Sequence, residues 1–364
     1  MSARSKLTKL AIGRLRTGND GEVEVHMQIG TEEEDDTAWI DAPPTPEELR
    51  RIFLFQGIWD ARSKLARPAP PILWHYTSGQ ALIDIVSKGE LWATQMSCLN
   101  DQTELVHAAR LLVQSFKKLR KTHHSKDDLA FLDRAIEELD RDISLQSDIF
   151  VASFSEYEND LSQWRSYGGG EGGYVIGFNR EGLDFGQQAG MFTLGVEYIL
   201  ARQEAIMSSV ADAALAYFKN GLAEGLDCLS FIREDALPMT LMGLGFTGPF
   251  LKNEAFSGEK EWRVAWQVPV GHKDLRFRQK QSMLSRHVPL DFHKPEMEKT
   301  GRLPIVSIGI GPCRHPAVSM NSILSMLRAK SYPAEGGLYP LLKRDGFPVD
   351  RCTVWTSDIP FRGT

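Results

Sequence analysis

Glu259-Lys260-Glu261-Trp262-Arg263 opens an apolar, strand-like run. Side chains alternate along a strand, so two acids separated by one residue are expected on the same face at the strand edge. Such a pair suits chemistry at a ribose. One carboxylate orients a hydroxyl or activates an acceptor, and the other stabilises a developing oxocarbenium ion. The competing reading is a solvated charged turn, because Glu-Lys-Glu is common surface material. Two upstream segments supply companions. Trp74-His75-Tyr76-Thr77-Ser78 ends an apolar run with an imidazole suited to a ribose hydroxyl and a ring able to stack. A strand-end histidine that only binds backbone is the alternative there. Val151-Ala152-Ser153-Phe154-Ser155 places both serines on one face and Phe154 on the other. Those serines are either a scaffold for a bound ribose or ordinary strand-edge residues.

Weaker signals surround these. Trp164-Arg165-Ser166-Tyr167 precedes the glycine run 168–173, which lacks the lysine of a P-loop and leads into a strand rather than a helix. It reads as a mobile connection, with Trp164 and Tyr167 either as aromatic walls for a planar ring or as core. Asn100-Asp101 with Glu104 is explained by helix capping. The basic cluster from Lys117 to Lys126 reads as a solvated helix face.

The elements that must hold these residues follow from periodicity and punctuation. The chain has 364 residues and a net charge of -6, so no global attraction to nucleic acid or anionic membrane is expected. No run of about 18 apolar residues suggests a spanning helix. The basic N-terminus lacks an apolar segment of the secretory kind. Cys98, Cys228, Cys313 and Cys352 are scattered without metal-site spacing, so no metal and a reducing, cytoplasmic setting are expected. Residues 1–70 read as an accessory element. It comprises strands at Leu7–Arg16 and Glu22–Ile29, an acidic tract Glu32–Asp36, and a helix from Thr45-Pro46-Glu47-Glu48 to about Ala66. Arg67-Pro68-Ala69-Pro70-Pro71 then marks the boundary to a domain over 71–364. There, helices are expected after Ser78, after Asn100, before Ile143, over Ala201–Gly225 and over Ala317–Ala329. Strands are expected at Ile72–Tyr76, Leu91–Thr94, Ile149–Phe154, Tyr174–Phe178, Phe192–Tyr198, Trp262–Val268, Ile305–Ile310 and Cys352–Trp355. Without a steady βα rhythm, this pattern predicts an α+β fold.

The order of short blocks resembles a bacterial family of uncharacterised function, DUF2971. The blocks are Leu73-Trp74-His75-Tyr76-Thr77, Leu91-Trp92, Leu99-Asn100-Asp101 with Glu104, Ala152-Ser153-Phe154-Ser155, Leu161 and Trp164 with Tyr167, Gly173 to Phe178, and Lys252 with Phe256, Glu259, Glu261 and Arg263. The tail Ser357-Asp358-Ile359-Pro360-Phe361-Arg362 completes a likeness over roughly 72–362. More remotely, the blocks resemble ADP-ribosyltransferases. That likeness implies a split, curved β-core with NAD as substrate in its cleft. It implies binding by His75, Tyr76, Thr77, Ser153, Ser155, Trp164, Tyr167 and Arg263, and catalysis by Glu261 with Glu259 assisting. The serine strand reads Ser-Phe-Ser rather than Ser-Thr-Ser, and His75 stands on the first strand, so the pattern is a hybrid. The expected function is NAD-dependent ADP-ribosyl transfer to an unknown acceptor, protein or nucleic acid, as a bacterial toxin or phage-defence effector, with an antitoxin or partner protein as a further expectation. A nucleotide- or ADP-ribose-binding sensor without turnover and an NAD glycohydrolase are the alternatives. Glu261→Gln is expected to cut turnover with little change in melting temperature.

Overall fold

The computed structural model describes residues 14–17, 23–26, 44–99, 104–141, 148–168, 172–183, 191–268, 271–280, 283–290, 302–339, 342, 346–348 and 350–360. Arg14–Thr17 (β1) and Val23–His26 (β2) pair antiparallel. The rest of that expected hairpin, the acidic tract Glu32–Asp36, Asn100-Asp101, Ile143, Gly169–Glu171 and Phe361-Arg362 lie outside the described residues.

Helix α1 (Pro46–Ser63) begins as its sequence dictates. Thr45 accepts from the Glu48 amide while the Glu48 carboxylate accepts from Thr45, a reciprocal cap that satisfies exposed amides of the first turn. The helix ends short of Ala66. β3 (Ile72–Thr77) leads into α2 (Gly79–Lys88), capped by Ser78 and closed by Gly89 at φ 66°, where a Cβ would be strained. β4 (Leu91–Gln95), α3 (Glu104–Thr122), α4 (Lys126–Leu139), β5 (Ile149–Ser155), α5 (Leu161–Tyr167), β6 (Tyr174–Asn179), β7 (Met191–Gly195) and the long α6 (Leu200–Ala223) follow. A one-turn α7 (Cys228–Phe231) passes through a π-helical turn, Ile232–Ala236, into α8 (Leu237–Thr247). Then come β8 (Glu261–Gln267), β9 (Arg276–Lys280), β10 (Met283–Leu290), β11 (Ile305–Ile310), α9 (Pro316–Ala329), β12 (Ala334–Gly336) and β13 (Cys352–Thr356).

The fold is α+β. Eleven strands form one mixed sheet in the order β12-β13-β11-β6-β3-β5-β4-β10-β9, with β8 joined to β5 and β7 joined to β8. β13 runs parallel to both β11 and β12, and the other pairs are antiparallel. β8 pairs with β5 along its whole length, from Ile149↔Gln267 to Ser155↔Glu261. A strand has two edges, so β3 and β4 share the other one. β3 touches it only at Trp74↔Ser155, and β4 only at Thr94↔Val151 and Gln95↔Phe150. The sheet therefore splits on one side of Ser153.

Alternation sorts the two faces. Ile149, Val151 and Ala265 pack into one core with α1, α3, α4, α6 and α8, through Leu54, Phe116, Phe131 and Phe218 among others. Phe150, Ala152, Phe154 and Val264 face a second core with α2 and α9. α1, grouped with the first 70 residues by the sequence, buries Leu54 and Ile58 in the first of these cores.

One local reading needs correction, and two elements carry no sequence expectation. β7 stops at Gly195, and the expected strand to Tyr198 continues only as a bridge between Glu197 and Leu251. The β9–β10 hairpin carries no sequence expectation, because Arg276-Phe277-Arg278-Gln279-Lys280 lacks a buried apolar face and Pro289 interrupts the next run. α8 was equally hidden, since its apolar residues and two glycines leave no amphipathic stripe. Among the described residues, no helix is long and apolar enough to cross a membrane.

Candidate functional site

The acidic pair converges, but not by strand alternation. Only Glu261 is in β8. Glu259 ends a 3-10 turn, Glu254–Glu259, and Lys260 follows in the left-handed region at φ 45°, ψ 50°. That twist turns the Glu259 carboxylate back toward its neighbour. Nor is the pair a solvated turn, since Glu261 is only 5% exposed.

What joins the acids is Lys252. Its Nζ donates to Glu259 Oε2 at 2.6 Å and to Glu261 Oε2 at 3.0 Å, and lies 3.2 Å from Glu104 Oε1. Arg263 clamps Glu261 from the other side, with Nε to Oε1 at 2.7 Å and Nη2 to Oε2 at 2.9 Å. Its Nη1 donates to the Pro249 carbonyl at 2.7 Å and lies 2.6 Å from Glu104 Oε2, close enough for charge attraction but not aligned as a hydrogen bond. Glu104 stands on the first turn of α3, and its carboxylate closes the cluster rather than capping the helix. The Lys252 backbone is fixed by Gln203, whose amide donates to the carbonyls of Lys252 and Glu197, both at 2.7 Å. The Glu261 amide donates to the Tyr198 hydroxyl at 3.0 Å.

These contacts set the charges. Burial alone would raise the Glu261 carboxyl. The charges of Arg263 and Lys252, with the hydrogen bonds from Arg263 and a smaller contribution from the nearby Ser153 hydroxyl, instead hold it down at about 2. Burial raises Glu259 above its ordinary value despite its bond to Lys252. Lys252 is raised, because its acidic neighbours, Glu261 foremost, outweigh its burial. Glu261 is thus a fixed anion with both oxygens engaged. Glu259, with its side chain 22% exposed, is the acid that reaches solvent.

The other sequence candidates divide. Ser153 is half-buried and points its hydroxyl at Glu261. Tyr167, at the end of α5, is exposed; burial of its hydroxyl and the charges of Glu259 and Glu261 push that hydroxyl up to about 12. Both therefore belong to the acidic site. Ser155 donates to the Glu259 carbonyl at 2.9 Å and accepts from the Tyr157 amide at 3.1 Å, so it shapes the turn. His75 takes the backbone-binding alternative. Its Nδ1 donates to the Ser153 carbonyl at 2.9 Å, in the split where β3 leaves β5. That bond assigns the proton to Nδ1 and leaves Nε2 an acceptor, and burial holds the ring neutral. The Tyr76 hydroxyl donates to the Tyr157 carbonyl and accepts from the Asp160 amide, each at 2.9 Å. Its ring meets Trp164 edge-on at 4.8 Å, and Trp164 donates from Nε1 to Asn159. Tyr76 and Trp164 are core residues that seat α5 rather than platforms for a ligand. Thr77 is buried at the end of β3. Arg263 serves Glu261 and Glu104 rather than a ligand.

In the sequence Glu104 reads as part of a helix cap in preference to a functional cluster, and Lys252 enters only through the family resemblance. A lysine among acids is indistinguishable from surface charge until its burial is known.

Residues from the start of α5 to the middle of β8 thus carry most of the cluster. Residues 163–264 match the DUF2971 family model, described as a protein of unknown function. The DUF2971 match takes in Trp164, Tyr167, Lys252, Glu259, Glu261 and Arg263, and leaves out His75, Glu104, Ser153 and Ser155. No curated protein and no solved structure matches the chain.

Proposed function

We propose that this acidic site binds NAD and breaks its nicotinamide–ribose bond, passing ADP-ribose to an acceptor as a transferase of the toxin or defence-effector kind. One observation carries the reading: a buried carboxylate, Glu261, bonded by Arg263 and Lys252, stands beside a second, partly exposed carboxylate, Glu259, 2.6 Å from the same lysine. A fixed anion in a dry setting stabilises a cation that appears only at the transition state. The bond electrons leave with nicotinamide, and positive charge develops at the ribose carbon and ring oxygen. Glu261 supplies the opposing field. A lone pair of the acceptor then forms the new bond, and its proton passes to Glu259, whose raised affinity for protons suits a base that faces solvent. We assign Tyr167, exposed at the end of α5, to cover the nicotinamide ring.

A second reading is favoured by the saturation of Glu261. Both its oxygens are held by cations, as suits a sensor that binds ADP-ribose without turnover. Nicotinamide release from NAD by wild type and by Glu261→Gln, with and without cell lysate, separates the two. Release that needs Glu261 supports cleavage, and a lysate requirement indicates transfer rather than hydrolysis. Thermal stabilisation by ADP-ribose without release supports the sensor.

A further inference from the structure

Beyond β4 from the acidic site, the same sheet face carries polar groups that nothing satisfies among the described residues. Directly opposed residues of antiparallel strands share a face. Ser285 opposes Arg278, and His287 opposes both Arg276 and Thr94. Thr94 in turn opposes Val151, two residues from Ser153. His287 is 2% exposed and Ser285 0%, yet among the described residues neither His287 ring nitrogen nor Ser285 Oγ has a hydrogen-bond partner. The Ser285 backbone lies beside the imidazole, but neither nitrogen makes an aligned bond to it. The Arg278 Nε is buried and equally unpaired, while its Nη2 donates to the Thr94 hydroxyl at 3.1 Å. Buried polar groups without partners are costly and rare, and three side chains sharing one spot call for a common occupant.

The charge of the spot defines the occupant. Arg278 forms no ion pair among the described residues, whereas its neighbour Arg276 is held by Glu90 at 2.7 Å. Glu90 also accepts from Trp92 Nε1. Trp92 stacks on the His287 ring at 4.2 Å, fixing the imidazole from one side, and Lys88 lies 4.8 Å from the Trp92 ring. No carboxylate among the described residues pairs with Arg278, His287 or Ser285. Burial, with the charges of Arg278 and Arg276, pushes the imidazole down to about 4, so it stays neutral with one N–H to donate. The donors are one guanidinium N–H, one imidazole N–H and one hydroxyl, around an uncompensated positive charge.

We propose that Arg278, Ser285 and His287 form a binding site for a phosphoryl group. The site is independent of the NAD reading and does not involve the acids of β8. Wild-type protein is titrated calorimetrically at low ionic strength with inorganic phosphate, pyrophosphate and ADP in turn. Saturable binding is expected, weakened on the order of tenfold or more in Arg278→Gln and largely kept in Arg278→Lys. Tighter binding of ADP than of pyrophosphate assigns the phosphoryl group to a nucleotide, and equal binding assigns it to a free anion. A measurement on the unaltered protein backs up the variants: the His287 imidazole, followed by NMR, titrates at higher pH with pyrophosphate present, because a bound anion stabilises the imidazolium. No saturation by any of the three up to about 10 mM, or an unmoved His287 titration, overturns the proposal.

Discussion

Two regions of one sheet face treat charge in opposite ways. Around β8, two cations and three carboxylates pair their charges, although Glu104 Oε2 keeps no aligned hydrogen bond among the described residues, and Lys252 alone reaches Glu104, Glu259 and Glu261. On β9–β10, Arg278, Ser285 and His287 sit over the same face with buried polar atoms unpaired. The first region has its charges matched by the fold, and its anion is built in rather than recruited. The second is left incomplete by the fold. Buried ion pairs are held at a desolvation cost that good geometry only offsets, so such a cluster signals positioning more than stability.

The sharpest way to break this contrast is to remove one partner of the closed cluster. Arg263→Met strands Glu261 and Glu104 in the core, and urea denaturation should show a loss of about 3–5 kcal/mol. A loss below about 1 kcal/mol would mean that the cluster is solvated and the contrast false. Acidification tests both regions together. Glu261 titrates at about 2 in the folded chain against an ordinary 4.5, so its contribution is complete above pH 4.5 and is lost as pH falls toward 2. His287 titrates at about 4 against an ordinary 6.5, and His75 is shifted in the same direction. The unfolded chain therefore binds these protons first, and stability should already decline from pH 6.5 downward. A stability profile flat between pH 6.5 and 4 would contradict the buried, neutral imidazoles.

Smaller effects sharpen the picture. Glu261→Gln keeps the shape but removes the charge between Arg263 and Lys252, and should cost about 1–3 kcal/mol. This revises the expectation of an unchanged melting temperature, which treated Glu261 as an edge residue. Tyr76→Phe removes one hydroxyl bridging Tyr157 and Asp160 and should cost on the order of 1 kcal/mol by thermal melting. Glu259→Gln should change stability by less than about 1 kcal/mol, because its carboxylate is partly solvated.

Much of the scaffold was legible because it rests on local rules. The Thr45 capping box, the Ser78 cap with Gly89, and the apolar strands β3, β5, β6 and β11 all announce themselves over a few residues. The site was legible only in part. The proximity of Glu259 and Glu261 was read correctly for the wrong reason, since a left-handed Lys260 and not strand alternation brings them together. Lys252 and Glu104 were opaque, because their meaning depends on burial and on contacts across long stretches of chain. Tyr76 and Trp164 look like ligand platforms in one dimension and prove to be packed on each other in three. The β9–β10 patch left no trace, since Arg276-Phe277-Arg278-Gln279-Lys280 offers no apolar alternation to mark a strand.

The central claim is that Glu261 is a fixed, cation-held anion while Glu259 is the acid that works at the surface of the site. Nicotinamide release from NAD by Glu259→Gln, measured beside wild type, tests it most directly. The expected result is a loss of at least about 100-fold with an unchanged melting temperature. Wild-type rates in Glu259→Gln would contradict the assignment, and no release by the wild type, with or without lysate, would contradict NAD cleavage itself.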